Sequence, residues 1–144
     1  MGLTEGGHVS HLYLNVGHRE PLQPMESVSF VGGKGIEGDR HFSSQGNRQI
    51  LLMDMETLDQ LGLTPGIVRE NVTTAGLDLA ALVGGKKIRI GKQVVLEISE
   101  PCAPCSRMDE IRPGLRLQLE GRRGMLAVVV EGGIADVGDS IVVL

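Results

Sequence analysis

Residues 86–98 read KKIRIGKQVVLEI, and this stretch decides the class of the fold. Apolar and charged residues alternate over positions 87–90, the pair Gly91-Lys92 can form a two-residue turn, and apolar residues again occupy at least every second position over 94–98. Successive side chains of a strand point to opposite faces of a sheet. The pattern therefore predicts a β-hairpin with one apolar face and one solvated face.

The C-terminal segment shows the same pattern. Apolar runs at 125–130, 134–137 and 141–144 are separated by the turn-forming pairs Gly132-Gly133 and Gly138-Asp139. We therefore expect three more short strands joined by tight turns. The upstream segments that read as strands are 9–16, 27–31, 48–53 and 68–74, and residues 17–26 read as a loop.

One helix is predicted directly after the strand at 48–53. Asp54 can cap it, Glu56 suits the positive end of its dipole, and Gly62 ends it. Residues 77–83 form either a helical turn or an irregular crossover. The 21 glycines, set against six prolines, favour many tight turns between short strands. Sheets of short hairpins avoid exposed edges by closing, so we predict a mostly β fold, a closed β-barrel with minor helices.

Length and composition predict one ordinary globular domain over residues 1–144. The chain is 41% apolar and 22% charged, its apolar runs are far shorter than the ~20 residues of a membrane span, and its first residues lack the features of a secretory signal. We therefore expect a cytoplasmic protein without membrane contact, whose two cysteines stay reduced. A net charge of −4, one Tyr, two Phe and no Trp argue against a nucleic-acid partner.

Cys105 is the main candidate for chemistry. The segment SEPCAPCSRMDEI, residues 99–111, leaves a strand and enters a run with helical character, which places Cys105 at the junction. Pro104 suits a first helical turn, and unpaired N–H groups with nearby Arg107 favour a thiolate. The alternative is that Cys105 is a small buried apolar residue.

The pair Cys102-Ala103-Pro104-Cys105 leaves two further interpretations open. A dithiol redox site is one, although the alternating strand and helix pattern of thioredoxin-like folds is absent. A structural zinc is the other, but the motif occurs once and would need histidines such as His8 and His11. We expect no zinc.

The segment GGKGIEGDRHF, residues 32–42, could bind an anion. Glycines let backbone N–H groups approach an anion, and arginine matches phosphate geometry. A glycine turn with solvated charges is at least as consistent with the spacing, and His41 alone would more often be a hydrogen-bonded structural residue. Glu70-Asn71 could likewise bind a ligand or satisfy backbone groups at a strand end.

Six ordered motifs resemble the MOSC domain, the C-terminal module of molybdenum-cofactor sulfurases. They are GIEGDRHF, RQILLMDMETLDQL, ENVTTAGLDL, KKIRIG, PCAPCSRM and GGIADVGDSIVV, and the resemblance that they carry extends over nearly the whole chain. The resemblance implies a mixed-strand barrel. It also implies a cofactor site formed by Gly35, Gly38, Asp39, Arg40, His41, Arg48, Gln49, Glu70 and Asn71, with Cys105 as the functional cysteine and Cys102 as an extra.

The same resemblance implies three functions. The first is binding of molybdenum cofactor, with Arg40, Arg48 and the glycine loop holding its phosphate and Cys105 carrying sulfane sulfur or ligating molybdenum. The second is a molybdenum-dependent reductase of N-hydroxylated bases, and the third is a non-catalytic sulfur-relay module. Sulfurases add a pyridoxal-phosphate desulfurase domain, so we expect a separate cysteine desulfurase, cofactor-biosynthesis protein or electron-transfer partner. Val128 stands where relatives have a basic residue.

Overall fold

A computed structural model describes residues 6–43, 46 and 48–144 of the chain. Its strands are β1 (Gly6–Leu14), β2 (Gln23–Met25), β3 (Ser27–Val31), β4 (Gly35–Ile36), β5 (Ile50–Asp54), β6 (Val72–Ala75), β7 (Lys87–Ile90), β8 (Val94–Pro101), β9 (Met125–Glu131), β10 (Gly133–Asp136) and β11 (Ser140–Val143). Its helices are α1 (Met55–Gln60), α2 (Arg107–Ile111) and α3 (Leu115–Gln118). A single 3-10 turn covers Leu79–Ala81.

Seven of the described strands close into a barrel. They pair in the order β11, β7, β8, β9, β5, β6 and β1, and β1 pairs back with β11. The β5–β6 pair is parallel and the other six are antiparallel. Closure leaves these strands without a free edge. The predicted closed, mixed-strand barrel with short helices is confirmed.

The hairpin at 86–98 forms as predicted, but the C-terminal strands do not pair in succession. In the hairpin, Ile88 lies opposite Leu96, and both are fully buried in the barrel core. The strand β9 already pairs with β8 on one edge and β5 on the other, so β10 has no edge of β9 to join. It pairs with β3 in a separate three-stranded sheet. Gly132-Gly133 is therefore a crossover between two sheets, and the expected tight turn between neighbouring strands at this point is wrong.

The short helices pack outside the barrel and form a second apolar cluster. Asp54 caps α1 as predicted, because its carboxylate accepts hydrogen bonds from the Thr57 N–H and hydroxyl at 3.0 and 2.7 Å. The fully or nearly buried members of the cluster are Met53, Leu58, Val68, Met108, Leu115 and Leu119. This packing holds α2 and the segment before β6 beside the end of the barrel. No helix in the described part of the chain is long and apolar enough to cross a membrane.

Several short elements differ from the sequence prediction. The strand β2 lies inside the segment read as a loop, and β6 begins at Val72 instead of position 68. One contact and one backbone angle explain the later start. The Glu70 carboxylate accepts a hydrogen bond from the Gly66 N–H at 2.8 Å, and Arg69 has a φ of 67°. These features form a turn, which a strand cannot accommodate.

Candidate functional site

A strongly cationic cavity of about 220 Å³ lies beside the barrel. Its described lining includes no carboxylate, and none of its arginines forms a salt bridge with a described residue. Arginine forks bind oxyanions with several N–H donors at once. The charge of the lining is therefore complementary to that of an anion. Its basic residues are Arg40, His41, Arg48, Arg69, Arg107 and Arg123.

The fold gathers these side chains from separate segments. Because β5 and β6 are parallel neighbours, the residues that precede them, Arg48 and Arg69, emerge at the same end of the barrel. Arg107 is the first residue of α2, and Arg123 lies just before β9. The topology of the fold thus brings these basic side chains together and makes the cavity positively charged.

Asp39 lies behind the cavity wall and holds it together. Its Oδ1 accepts hydrogen bonds from the Asn15 N–H at 2.7 Å and from Asn71 Nδ2 at 3.0 Å. Its Oδ2 accepts one from the His41 N–H at 3.0 Å and lies 3.3 Å from His41 Nδ1. Burial opposes ionisation of Asp39, but the hydrogen bonds from His41 and Asn15 outweigh it and lower its pKa.

Arg123 is a buried cation with unused donors. It is 8% exposed, and its Nη2 donates to the Val68 carbonyl at 2.9 Å. Its Nε and Nη1 are buried and have no hydrogen-bond partner among the described residues. Leaving charged N–H groups unpaired in the interior is costly. An anion in the cavity would supply the missing acceptors.

Arg69 lines the cavity and forms hydrogen bonds with the segment that follows β1. Its Nη2 donates to Asn15 Oδ1 at 3.0 Å and to the Gly17 carbonyl at 3.1 Å. Burial, followed by the like charges of Arg107 and Arg40, lowers the pKa of Arg69. The positive field that these groups create favours anionic ligands over neutral ones.

A second cavity, of about 440 Å³, adjoins the first. The two cavities share Arg69 and Arg107 in their linings. The second one also contains Thr64 and Glu110, and the rest of its lining is mostly apolar and includes Tyr13. Its aliphatic and proline residues are Pro21, Leu22, Pro65, Ile67, Met108 and Ile111.

The structure brings together only part of the site suggested by the motifs. Arg40, His41, Arg48 and Asn71 line the cationic cavity, and Asp39 braces it from behind. The remaining four predicted residues, Gly35, Gly38, Gln49 and Glu70, line neither of these two cavities.

These other residues have structural contacts. Gln49 joins two segments, since its Nε2 donates to the Gly33 carbonyl at 2.9 Å and its Oε1 accepts from the Val129 N–H at 3.0 Å. Glu70 is fully buried, and its Oε2 also accepts from the Thr73 hydroxyl at 2.7 Å. Gly35, the first residue of β4, and Gly38 both have a positive φ.

The two cysteines are in different environments. Cys105 is exposed in the loop that precedes α2 and does not line the cationic cavity. Cys102 is buried and lines that cavity together with the arginines. Within 6–43, 46 and 48–144, no three His, Cys, Asp or Glu side chains are grouped so that they could hold a metal ion.

Sequence reasoning did not identify Cys102, Arg69 and Arg123 as members of the site. Arg123 belongs to a Gly-Arg-Arg-Gly segment, residues 121–124, that has the composition of a solvated turn. Nothing in that composition separates the buried Arg123 from its neighbour Arg122. The available signal was the excess of arginines at segment ends, which needs the topology to be interpreted.

The family model of the MOSC domain matches residues 37–142. The chain belongs to the MOSC family. Its fold is similar to that of the YuaD protein from Bacillus subtilis, with a TM-score of 0.81 and 22% identity over 96% of this chain and 95% of that one. It is also similar to YiiM from Geobacillus stearothermophilus, with a TM-score of 0.75 and 19% identity over 96% and 75% of the two chains.

A third MOSC-like structure, YiiM from Escherichia coli, has a TM-score of 0.70 and 17% identity over 95% of this chain and 69% of that one. At these identities the solved structures establish the fold of this MOSC chain. No curated protein matches it in sequence. The residues that line the cationic cavity from Arg40 onward all lie inside the matched MOSC range.

Proposed function

We propose that this MOSC chain binds molybdenum cofactor through an anionic group in the cationic cavity and carries sulfane sulfur on Cys105. The observation that supports this most strongly is Arg123, a buried guanidinium whose Nε and Nη1 have no acceptor among the described residues. Four more arginines line the same cavity without a facing carboxylate. A bound phosphate would accept hydrogen bonds from N–H groups that have no acceptor among the described residues.

The residues present fit the cofactor in charge and in chemistry. A phosphate suits the arginine-lined cavity, whose volume of about 220 Å³ lies below the roughly 300–1,000 Å³ typical of small-molecule sites. The adjoining cavity of about 440 Å³ offers further room for the flat pterin. Arg40, Arg48 and Arg123 would hold the phosphate. When bound, the cofactor would supply a redox-active, thiophilic metal.

Cys105 is placed where a protein donor can reach it. Its exposure in the loop before α2 makes it accessible to a cysteine desulfurase or a cofactor-biosynthesis protein. In the transfer, the Cys105 thiolate attacks the outer sulfur of the persulfide on the donor. A new S–S bond forms on Cys105, the old S–S bond breaks, and the donor leaves as a thiolate. We also propose a cytoplasmic location, where both thiols stay reduced.

Cofactor content of the purified protein tests the proposal. After expression in a host that makes the cofactor, the wild-type protein should contain molybdenum and a fluorescent oxidised pterin. Cys105→Ser should keep the pterin but no longer accept sulfane sulfur from a cysteine desulfurase, and Arg123→Gln should lose both molybdenum and pterin. Arg122→Gln is the matched control, because Arg122 bonds to Gln118 and Gln60 outside the cavity. Wild-type protein without metal and without pterin would rule out cofactor binding.

The second cavity favours a further candidate, a molybdenum-dependent reductase of N-hydroxylated bases supplied with electrons by a partner. It is larger than the cationic cavity and shares Arg69 and Arg107 with it, so a substrate could lie next to the cofactor. Reduction of 6-hydroxylaminopurine by cofactor-loaded protein with an artificial reductant would support the reductase. Loading of sulfane sulfur onto Cys105 without any turnover would instead support the sulfur-relay module.

A further inference from the structure

Backbone pairing brings Cys102 and Arg123 to the same place. Pro101 and Met125 pair at the end of the β8–β9 ladder, and the Cys102 N–H then donates to the Gly124 carbonyl at 2.9 Å. Arg123 directly precedes Gly124, and both Cys102 and Arg123 line the cationic cavity. A thiol and a guanidinium from separate segments therefore share a cavity of about 220 Å³.

Neither side chain is fully used by the fold. Arg123 is 8% exposed, and its Nη2 donates to the Val68 carbonyl. Its Nε and Nη1 have no hydrogen-bond acceptor among the described residues. The only polar contact of the Cys102 sulfur among the described residues is a long one, at 3.9 Å, to the carbonyl of Ala103. Both groups are therefore available to a ligand that enters the cavity.

The ligand must meet three conditions, two of chemistry and one of size. The arginines favour an oxyanion, because guanidinium groups donate several hydrogen bonds to sulfonate or phosphate oxygens. The thiol demands a soft electrophile, and the outer sulfur of a sulfane donor is one. A cavity of about 220 Å³ suits a small donor. A small anion that carries sulfane sulfur meets all three conditions.

We propose that this cavity is a sulfurtransferase site for a small anionic sulfane donor, with thiosulfate as its simplest substrate. Arg123 holds the sulfonate oxygens while the Cys102 thiolate attacks the outer sulfur. An S–S bond forms on Cys102, the S–S bond of thiosulfate breaks, and sulfite leaves with the electron pair. The products are a Cys102 persulfide and sulfite, and no oxidant or reductant is consumed.

This activity does not depend on bound cofactor, and it gives the two cysteines different donors. The exposed Cys105 is open to a protein persulfide, whereas the buried Cys102 is reached through the cavity. Metal and pterin content tests cofactor binding, and sulfite release by cofactor-free protein tests the transfer. Either result can fail without the other.

The experiment uses reduced, cofactor-free protein in a single turnover with thiosulfate. Sulfite release and the added mass of one sulfur atom are measured, and fragmentation of the tryptic peptide 93–107 separates Cys102 from Cys105. Wild type should release sulfite and carry the sulfur on Cys102. Cys102→Ser should release none.

Two comparisons test the role of Arg123. Arg123→Gln should raise the thiosulfate concentration needed for half-maximal rate at least about tenfold, as expected for loss of a charge-assisted hydrogen bond. Arg122→Gln, which removes the same charge outside the cavity, should not. Inorganic phosphate should compete with thiosulfate in the wild type, a measurement that needs no variant. Sulfur found on Cys105 alone, full activity in Cys102→Ser, or no competition by phosphate would each overturn the proposal.

Discussion

Asp39 Oδ1 accepts a hydrogen bond from Asn71 Nδ2 at 3.0 Å, and this contact joins two motifs that lie far apart in the sequence. Asn71 in turn accepts a hydrogen bond from the Leu51 N–H through its Oδ1 at 3.0 Å. The aspartate of the glycine-rich segment is therefore a buried brace for the barrel end. It keeps His41 and Asn71 in position at the cavity wall.

Replacing Asp39 with asparagine should destabilise the fold in a pH-dependent manner. Near neutral pH we expect the free energy of unfolding to fall by about 1.5–3 kcal/mol, the value of hydrogen bonds to a charged group. Because the pKa of Asp39 is lowered in the folded state, its stabilisation is present above the ordinary carboxyl pKa of about 4 and is lost as the pH falls through the lower folded value. Urea unfolding across this range should show the difference between wild type and Asp39→Asn shrinking on acidification. A pH-independent difference would contradict this role.

Substitutions of the neighbours Arg48 and Gln49 should have different effects, one on anion affinity and the other on the free energy of unfolding. Arg48 is exposed and lines the cavity, so Arg48→Gln should weaken the binding of inorganic phosphate and change stability by less than about 0.5 kcal/mol. Gln49 is buried between the Gly33 carbonyl and the Val129 N–H, so Gln49→Ala should cost about 1–3 kcal/mol and leave affinity unchanged. Calorimetric titration and urea unfolding measure the two effects. Equal loss of affinity in both folded variants would make Gln49 part of the binding site.

The backbone at Arg69 offers a test of strain next to the site. Arg69 has a φ of 67°, which glycine adopts freely and alanine does not. Arg69→Gly and Arg69→Ala both lose the guanidinium bonds to Asn15 and Gly17. We expect the glycine variant to be more stable than the alanine variant by about 1 kcal/mol, measured by urea unfolding. The opposite order would show that this φ is not maintained in solution.

Gly124 should tolerate no side chain, because the chain passes close to another strand there. A Cβ at this position would overlap the carbonyl oxygen of Leu52. Gly121 also has a positive φ, but a Cβ there would meet nothing within 4 Å, which makes Gly121→Ala the control. Gly124→Ala should be less stable than Gly121→Ala by about 1–3 kcal/mol in thermal or urea unfolding. Similar stabilities would show that the close approach to β5 can relax.

The barrel could be predicted from the sequence because its signals are local. Alternation over 86–98 and the cap at Asp54 depend only on neighbouring residues, and both are confirmed. The pairing of β10 with β3 could not be predicted, since it depends on both edges of β9 being occupied by strands from elsewhere in the chain. Local patterns reveal strands but not which edges remain free.

The site was predictable only in part for the same reason. The motifs identified Arg40, His41, Arg48 and Asn71 as members of one site, and the structure brings these four together. The two cysteines each follow a proline and cannot be told apart by their neighbours in the sequence. In the structure the Cys102 N–H donates to the Gly124 carbonyl and Cys102 is buried, while Cys105 is exposed. The position of Arg123 likewise depends on a residue far away in the sequence, because its Nη2 donates to the Val68 carbonyl in the segment before β6.

The most direct test of the account is calorimetric titration of the protein with the oxidised, metal-free pterin derived from molybdenum cofactor, in phosphorylated and dephosphorylated forms. If the cationic cavity holds the phosphate, the phosphorylated form should bind at least about tenfold more tightly, because several charge-assisted hydrogen bonds depend on it. This preference should disappear in Arg123→Gln and persist in Arg122→Gln. Equal affinity for the two forms, or no binding of either, would contradict the account.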